Sequence, residues 1–152
     1  MASSRQVTEP QRLQMVAEAA YFRAERRGFN GGDAVADWLE AEAEIDRRLR
    51  ERAHQGLLEK LDERLTLSDG RLRAFKRKVS RMKKETREQW EQDVEKLAKL
   101  QDRLRKKVEW MRAQDGRAGE KVERQAEKIW AEMSDIVERV GARGKSRGAI
   151  AD

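Results

Sequence analysis

Residues 94–111 read VEKLAKLQDRLRKKVEWM, and apolar side chains recur in this stretch at alternating steps of three and four residues. Such a repeat is typical of a helix with one apolar row, and charged residues fill most of its other positions. The members of the row are Val94, Leu97, Gln101, Leu104, Val108 and Met111. A helix of this kind is stable only when its row packs against the row of another helix.

Similar rows precede and follow this stretch. The preceding row contains Leu58, Leu61, Leu65, Leu72, Phe75, Val79 and Met82, and the following row contains Val122, Ala126, Ile129, Met133, Ile136 and Val140. The glycines and Asp115 of segment 113–119 indicate a turn. We therefore predict one continuous helix over 57–112, a turn at about 113–119 and a second helix that returns along the first. Together they make a long charged antiparallel coiled-coil hairpin over 57–140. The alternative is a hairpin turn at Ser68–Gly70.

The N-terminal residues predict a short helical hairpin over 8–53. Thr8 and Gln11 have the spacing of a capping box, and Pro10 suits the first turn of a helix. Arg26-Arg27-Gly28 indicates the end of that helix, and Asp33 is placed to cap the next one. The second helix is expected to bury Val35, Trp38, Leu39, Ile45 and Leu49, with Trp38 in the core of the hairpin.

This segment resembles a known family. The residues that carry the resemblance are Ala20-Tyr21, Ala24-Glu25-Arg26-Arg27-Gly28 and Asp37-Trp38-Leu39-Glu40-Ala41-Glu42. Over residues 8–46 they are similar to the bacterial family called domain of unknown function 2934. The resemblance implies a small helical module without an assigned activity, and it supplies no catalytic residues.

The composition favours an all-α protein. Charged residues make up 42% of the 152 residues, there is one proline and there is no cysteine, so disulfides and thiolate metal sites are excluded. No apolar leader precedes Gln6 and no apolar run is long enough to span a bilayer, so we expect a cytoplasmic protein. Residues 141–152 predict a flexible, disordered basic tail, in which Arg143, Lys145 and Arg147 are available for electrostatic contact.

The row from Leu58 to Met82, the interaction seam, has no partner in the predicted hairpin, because the returning helix reaches back only to about Trp90. An exposed apolar row of that length is unusual in a soluble monomer. We therefore expect either a compact fold-back, in which the N-terminal hairpin could cover the row, or self-association, with a dimer favoured. Docking of another helical protein is the remaining alternative.

The strongest charge feature is residues 71–87, which contain nine basic side chains and one acidic one. Most of the basic residues lie opposite the apolar row, and we call this set the basic face: Arg73, Lys76, Arg77, Arg81, Lys83, Lys84 and Arg87. It is suited to non-specific contact with nucleic acid or with anionic lipid. The alternative is a solvated helix face, or a strip that meets an acidic partner helix.

No pattern predicts catalysis. Glu51 and His54 have the spacing of a metal-ligand pair but occur once, so a solvated histidine is expected, and Gly141–Ser146 lacks the first glycine of a phosphate loop. We expect no cofactor, no metal, no catalytic residue and no small-molecule substrate. The sequence thus predicts a non-enzymatic helical scaffold that binds proteins through coiled-coil seams, or alternatively a polyanion-binding protein.

Overall fold

The structure is a computed structural model that describes residues 6–114 and 118–148, with 145–148 described as backbone only. These residues form four helices and no strand, which confirms the all-α prediction. The helices are α1 (Glu9–Arg26), α2 (Ala34–Ser80), α3 (Lys84–Ala113) and α4 (Glu120–Gly148). Contacts divide the chain into unit 1, which ends at Gly56, and unit 2, which begins at Leu57, and α2 belongs to both.

The predicted start and end of the first helix and the predicted start of the second are confirmed. The Thr8 backbone N–H donates to Gln11 Oε1 at 2.9 Å, and the Gln11 N–H donates to the Thr8 hydroxyl at 3.4 Å, which completes the capping box. The Val35 N–H donates to the Asp33 carboxylate at 2.9 Å at the start of α2. Four residues of the loop between the helices have positive φ: Gly28, Phe29, Gly31 and Gly32. This backbone conformation lets the chain reverse its direction within a short loop.

The predicted core of unit 1 is wrong in one respect. Trp38 is 36% exposed, and Val35 and Leu39 are more exposed still. The predicted burial of Ile45 is confirmed, but the buried residues before it on α2 are Asp37 and Ala41, at steps of four. The helix is therefore rotated by about one residue, or roughly 100°, from the predicted orientation, and small Ala41 permits close packing near Val16.

α2 passes without interruption through Gly56 and through Ser68–Gly70, so the alternative hairpin at Ser68–Gly70 is wrong. The predicted continuous helix over 57–112 is also wrong, because α2 ends at Ser80 and α3 begins at Lys84. The break falls at a change of period, since the row from Val79 through Met82 to Trp90 covers eleven residues and so departs from the heptad. A continuous helix can absorb such a change by relaxing its supercoil, whereas here it marks a turn.

The turn at 81–83 is stabilised without glycine or proline. The Arg81 and Met82 N–H groups donate to the carbonyls of Lys78 and Val79, three residues earlier, which tightens the last turn of α2. Arg87 Nη2 donates to the Met82 carbonyl at 2.8 Å. The side chain of Arg87 thereby satisfies a carbonyl that the end of the helix leaves without a backbone donor.

Unit 2 is a bundle of three helices around one core. α2 and α3 run antiparallel, since Ser68 bonds Gln101 while Asp62 bonds Arg112. α3 and α4 also run antiparallel, and Lys107 donates to Gln125 at 2.7 Å. The returning helix is thus confirmed, but the hairpin predicted over 57–140 has a third helix, the C-terminal half of α2. The core contains buried members of all three rows.

The last helix is longer than predicted. α4 continues to Gly148, so residues 141–148 are helical and the tail predicted from 141 is corrected over that range. Residues 149–152 of the tail and 115–117 of the α3–α4 turn lie outside the described residues. None of the helices in the described part of the chain has the length and the apolar character to cross a membrane.

Candidate functional site

The interaction seam is buried within the chain itself. Leu58, Leu61, Leu65, Leu72 and Val79 are each at most 8% exposed, and Phe75 and Met82 pack against the same core. The returning helix of the predicted hairpin could not reach the seam, so a fold-back or a partner was expected to cover it. The turn at 81–83 brings α3 against the seam and α4 completes the cover, so the chain's own helices bury it.

The basic face surrounds the turn between α2 and α3. Six of its seven members are exposed: Arg73, Lys76, Arg77, Arg81, Lys83 and Lys84. The first three lie on the last two turns of α2, and the others lie on the turn or on the first residue of α3. The seventh, Arg87, is half-buried, because its guanidinium turns inward to the Met82 carbonyl. It is therefore a structural cap and is removed from the basic face.

The six exposed cations have no acidic partner among residues 6–114 and 118–148, where no carboxylate oxygen lies within 4.0 Å of any of them. Two lysines of α3 differ, since Lys99 pairs with Glu95 at 3.1 Å and Lys106 pairs with Asp102 at 2.9 Å. The positive charge at this end of the bundle is therefore not neutralised locally, and an added anion displaces only water and counterions.

An ion pair with the buried Asp93 fixes the C-terminal part of α4 to α3. Asp93 of α3 is 5% exposed, and its carboxylate lies 2.7 Å from Arg143 Nη1 and 3.9 Å from Arg139 Nη2. Asp93 lies beside the predicted apolar row, and its interaction with α4 is invisible in the sequence. Arg143, expected to be free for loose contacts, is held by this pair.

Unit 1 is held together by ion pairs between its helices. Arg27, at the end of α1, donates through both terminal nitrogens to the two oxygens of Asp37 at 2.5 Å. Arg12 donates to both oxygens of Asp46 and to Glu42. These bonds lower the pKa of Asp37 and of Asp46 and raise the pKa of both arginines. Arg27 and Asp37 are among the residues that carry the resemblance, so part of that set closes the hairpin.

Gly32 provides the space for this closure. A Cβ at Gly32 would lie 2.6 Å from Arg27 Nη2, and the residue has a φ of +85°. A side chain here would strain the backbone and would require the Arg27 guanidinium to shift away from its place beside Asp37.

Unit 1 also carries an exposed aromatic cluster, which we define as Tyr21, Phe22 and Phe29. Their side chains are 52–61% exposed, and the ring of Tyr21 lies 5.8 Å from that of Phe22 and 5.6 Å from that of Phe29. The sequence does not reveal this cluster, because Phe29 contacts Tyr21 only through the loop that reverses the chain. An exposed cluster of this type is a feature of protein contact surfaces.

The histidine prediction requires a correction. His54 is 3% exposed rather than solvated, and it lies four residues before Leu58 on the same helical row. Within the described ranges, no three histidine or carboxylate side chains come together in a way that could hold a metal ion.

Comparison with known proteins identifies one segment. Residues 11–47 match the model of the family described as Protein of unknown function (DUF2934), which confirms the resemblance predicted over 8–46. The match covers α1 and the first turns of α2, and therefore the ion pairs that close the hairpin. Neither the curated proteins nor the solved structures include a significant match.

Proposed function

We propose that this chain is a non-enzymatic helical protein that binds polyanions through the six exposed cations of the basic face. The observation that carries the proposal is the clustering of six exposed cations with no carboxylate within 4.0 Å in the described part of the chain, whereas Lys99 and Lys106 of α3 each have an acidic partner. The scaffold function predicted from the sequence rested on a free interaction seam. The chain's own helices bury that seam, so we place polyanion binding by the basic face before the scaffold function.

Electrostatics gives the scale of binding. One phosphate 4 Å from one exposed cation gains about 1 kcal/mol in water, and salt screens this attraction over about 8–10 Å. A single contact is thus negligible, whereas several cations on one rigid bundle act together. Such contacts give dissociation constants of about 10⁻⁴ to 10⁻⁶ M at physiological salt for non-specific nucleic-acid binding.

Elution from immobilised heparin tests the proposal, with variants matched in charge. K76Q/K84Q removes two cations of the basic face, and K99Q/K106Q removes two exposed lysines that have acidic partners. Both variants change the net charge equally. We expect K76Q/K84Q to elute at clearly lower salt than the unmodified protein and K99Q/K106Q to elute close to it. Equal shifts for the two variants would mean that net charge alone governs retention, and the proposal would be wrong.

Self-association through the aromatic cluster is the second candidate. The buried hydrophobic core of unit 1 consists of Val16, Ala41 and Ile45, so covering Phe22 and its neighbours with a second copy would add apolar burial to a small core. Sedimentation over a wide concentration range tests it. The expected result is a mass that rises with concentration above the 17.7 kDa of one chain. The F22Q variant should keep the mass of one chain over the same range. A mass of one chain throughout removes this candidate.

A further inference from the structure

We infer that the polyanion bound by the basic face is duplex nucleic acid, held through its phosphates without reading of base sequence. The inference rests on the proposed function, because it specifies the ligand class of the same face. Three properties of residues 71–87 lead to it: the burial of their apolar side chains, the absence of an exposed ring, and the chemistry of their polar groups.

The apolar side chains of this segment are not available to a membrane. Leu72 and Val79 are buried, and Phe75 and Met82 pack on the core of unit 2. Helices that bind at a lipid surface insert exposed Trp, Phe or Leu side chains among the acyl chains, in addition to their electrostatic attraction. The basic face can offer a ligand only electrostatic attraction. It is therefore expected to favour a ligand of high charge density over a lipid bilayer.

The aromatic rings near the face are not available to bases. Trp90 is 3% exposed, the ring of Phe75 lies 6.4 Å from it, and the Lys78 ammonium lies 5.1 Å from the centre of its ring. Proteins that bind single strands gain about 1–3 kcal/mol for each base stacked on an exposed ring. Without such a ring, a single strand has no advantage over a duplex, which carries a negative charge about every 1.7 Å along its axis.

Ser80, the uncharged polar residue in the α2 part of this segment, does not offer a means of reading bases. The Ser80 hydroxyl donates to the Arg77 carbonyl at 2.7 Å and is thus engaged within its own helix. Residues 73–80 extend for about 12 Å along α2, which corresponds to about seven phosphate charges of a duplex. The geometry therefore matches a stretch of backbone phosphates and predicts equal affinity for different sequences.

Fluorescence anisotropy with four probes tests the inference. The probes are a short labelled DNA duplex, a duplex of scrambled sequence, the corresponding single strand, and vesicles with and without anionic lipid. If all six cations contact phosphates, the logarithm of the duplex association constant falls with the logarithm of salt with a slope of about −5. K76Q/K84Q should make this slope less negative by about two, because each lost phosphate contact changes the slope by about one. K99Q/K106Q should leave the slope unchanged, and both duplexes should bind alike.

The possible failures are distinguishable. Tighter binding of the single strand, or a clear preference between the two duplexes, overturns the inference of sequence-independent duplex binding. Binding to anionic vesicles that depends on Lys76 and Lys84, with no duplex binding at low salt, also overturns it and leaves polyanion binding intact. If the K76Q/K84Q protein matches its control on every probe and on heparin, the proposed function falls as well.

Discussion

The core of unit 2 contains a polar pair that gives a sharp test of how its helices are packed. Ser68 of α2 and Gln101 of α3 both occupy positions in the apolar rows and are 3% and 4% exposed. The Ser68 hydroxyl donates to Gln101 Oε1 at 2.9 Å, and Gln101 Nε2 donates to Asp69. We predict that removing either partner destabilises the bundle and that removing both together does not.

The magnitudes follow from burial and hydrogen bonding. Q101L leaves the Ser68 hydroxyl without its acceptor, a penalty of about 1–3 kcal/mol for a buried group. The Ser68 hydroxyl can instead donate to the backbone carbonyl four residues earlier in its helix. The expected loss of stability is therefore at the lower end of this range, about 1 kcal/mol. S68A leaves Gln101 Oε1 without its donor and also costs about 1 kcal/mol. In S68A/Q101L no polar pair remains and leucine fills a similar volume, so the double variant should lie within about 0.5 kcal/mol of the parent.

Urea unfolding monitored by tryptophan fluorescence measures these differences. In a W38F parent, the remaining tryptophans, Trp90, Trp110 and Trp130, all belong to unit 2. Q92L is the matched control, because Gln92 is exposed on the same helix and should change stability by no more than about 0.5 kcal/mol.

The refuting result is additivity. The predicted losses imply a coupling energy of about 2 kcal/mol between Ser68 and Gln101. If S68A/Q101L is destabilised by the sum of the two single losses, the hydroxyl and the amide do not interact, and the packing of α2 on α3 described above is incorrect.

Three further predictions concern ion pairs and the loop of unit 1. D93N should lower the free energy of unfolding of unit 2 by about 1–3 kcal/mol, measured by urea, because the partly buried Arg143 loses its carboxylate. G32A should weaken unit 1, seen as faster hydrogen exchange in α1, since the new Cβ meets the Arg27 guanidinium at positive φ. The ion pair with Arg27 holds the pKa of Asp37 in the folded protein below its ordinary 3.8. The pair therefore stabilises the fold fully above pH 3.8, and this stabilisation is lost as the pH falls through the lower pKa of the folded protein. D37N should therefore exchange faster at neutral pH and respond less to acid.

The chain offers controls for each of these predictions. E91Q neutralises an exposed carboxylate near Asp93 and should leave unfolding unchanged. G31A introduces the same strain of positive φ but meets no atom within 4 Å, so exchange in α1 should rise less than in G32A. Equal exchange in these two glycine variants would contradict the role given to Arg27. For Asp37, an acid response as large in D37N as in the parent would contradict the linkage.

The sequence predicted the features that depend on neighbours along the chain. The capping box at Thr8, the cap at Asp33 and the rows from Val94 to Met111 and from Val122 to Val140 were all correct. Each depends on residues within a few turns of one helix, so spacing alone defines it. The exposure of the basic face was predictable for the same reason, since the opposite face of α2 is apolar.

The turn at 81–83 was visible only as a change of spacing. Its sequence contains no glycine or proline, and a helix can absorb such a change by altering its supercoil. What favours the turn is the burial of the Leu58–Val79 row against α3 and α4, together with the cap that Arg87 supplies. This outcome also changed the expected function, because a row that would have bound a partner became part of the core.

By itself, the sequence determined that this protein is a set of amphipathic helices with an excess of positive charge near residue 80, because helical period and charge are properties of local order. Only the tertiary structure decided which side chains meet across helices. The pairing of Arg27 with Asp37 turns Trp38 outward, and Asp93 is neutralised by a residue fifty positions later. Such contacts depend on distances between segments far apart in the chain, and the spacing within any one segment carries no information about them.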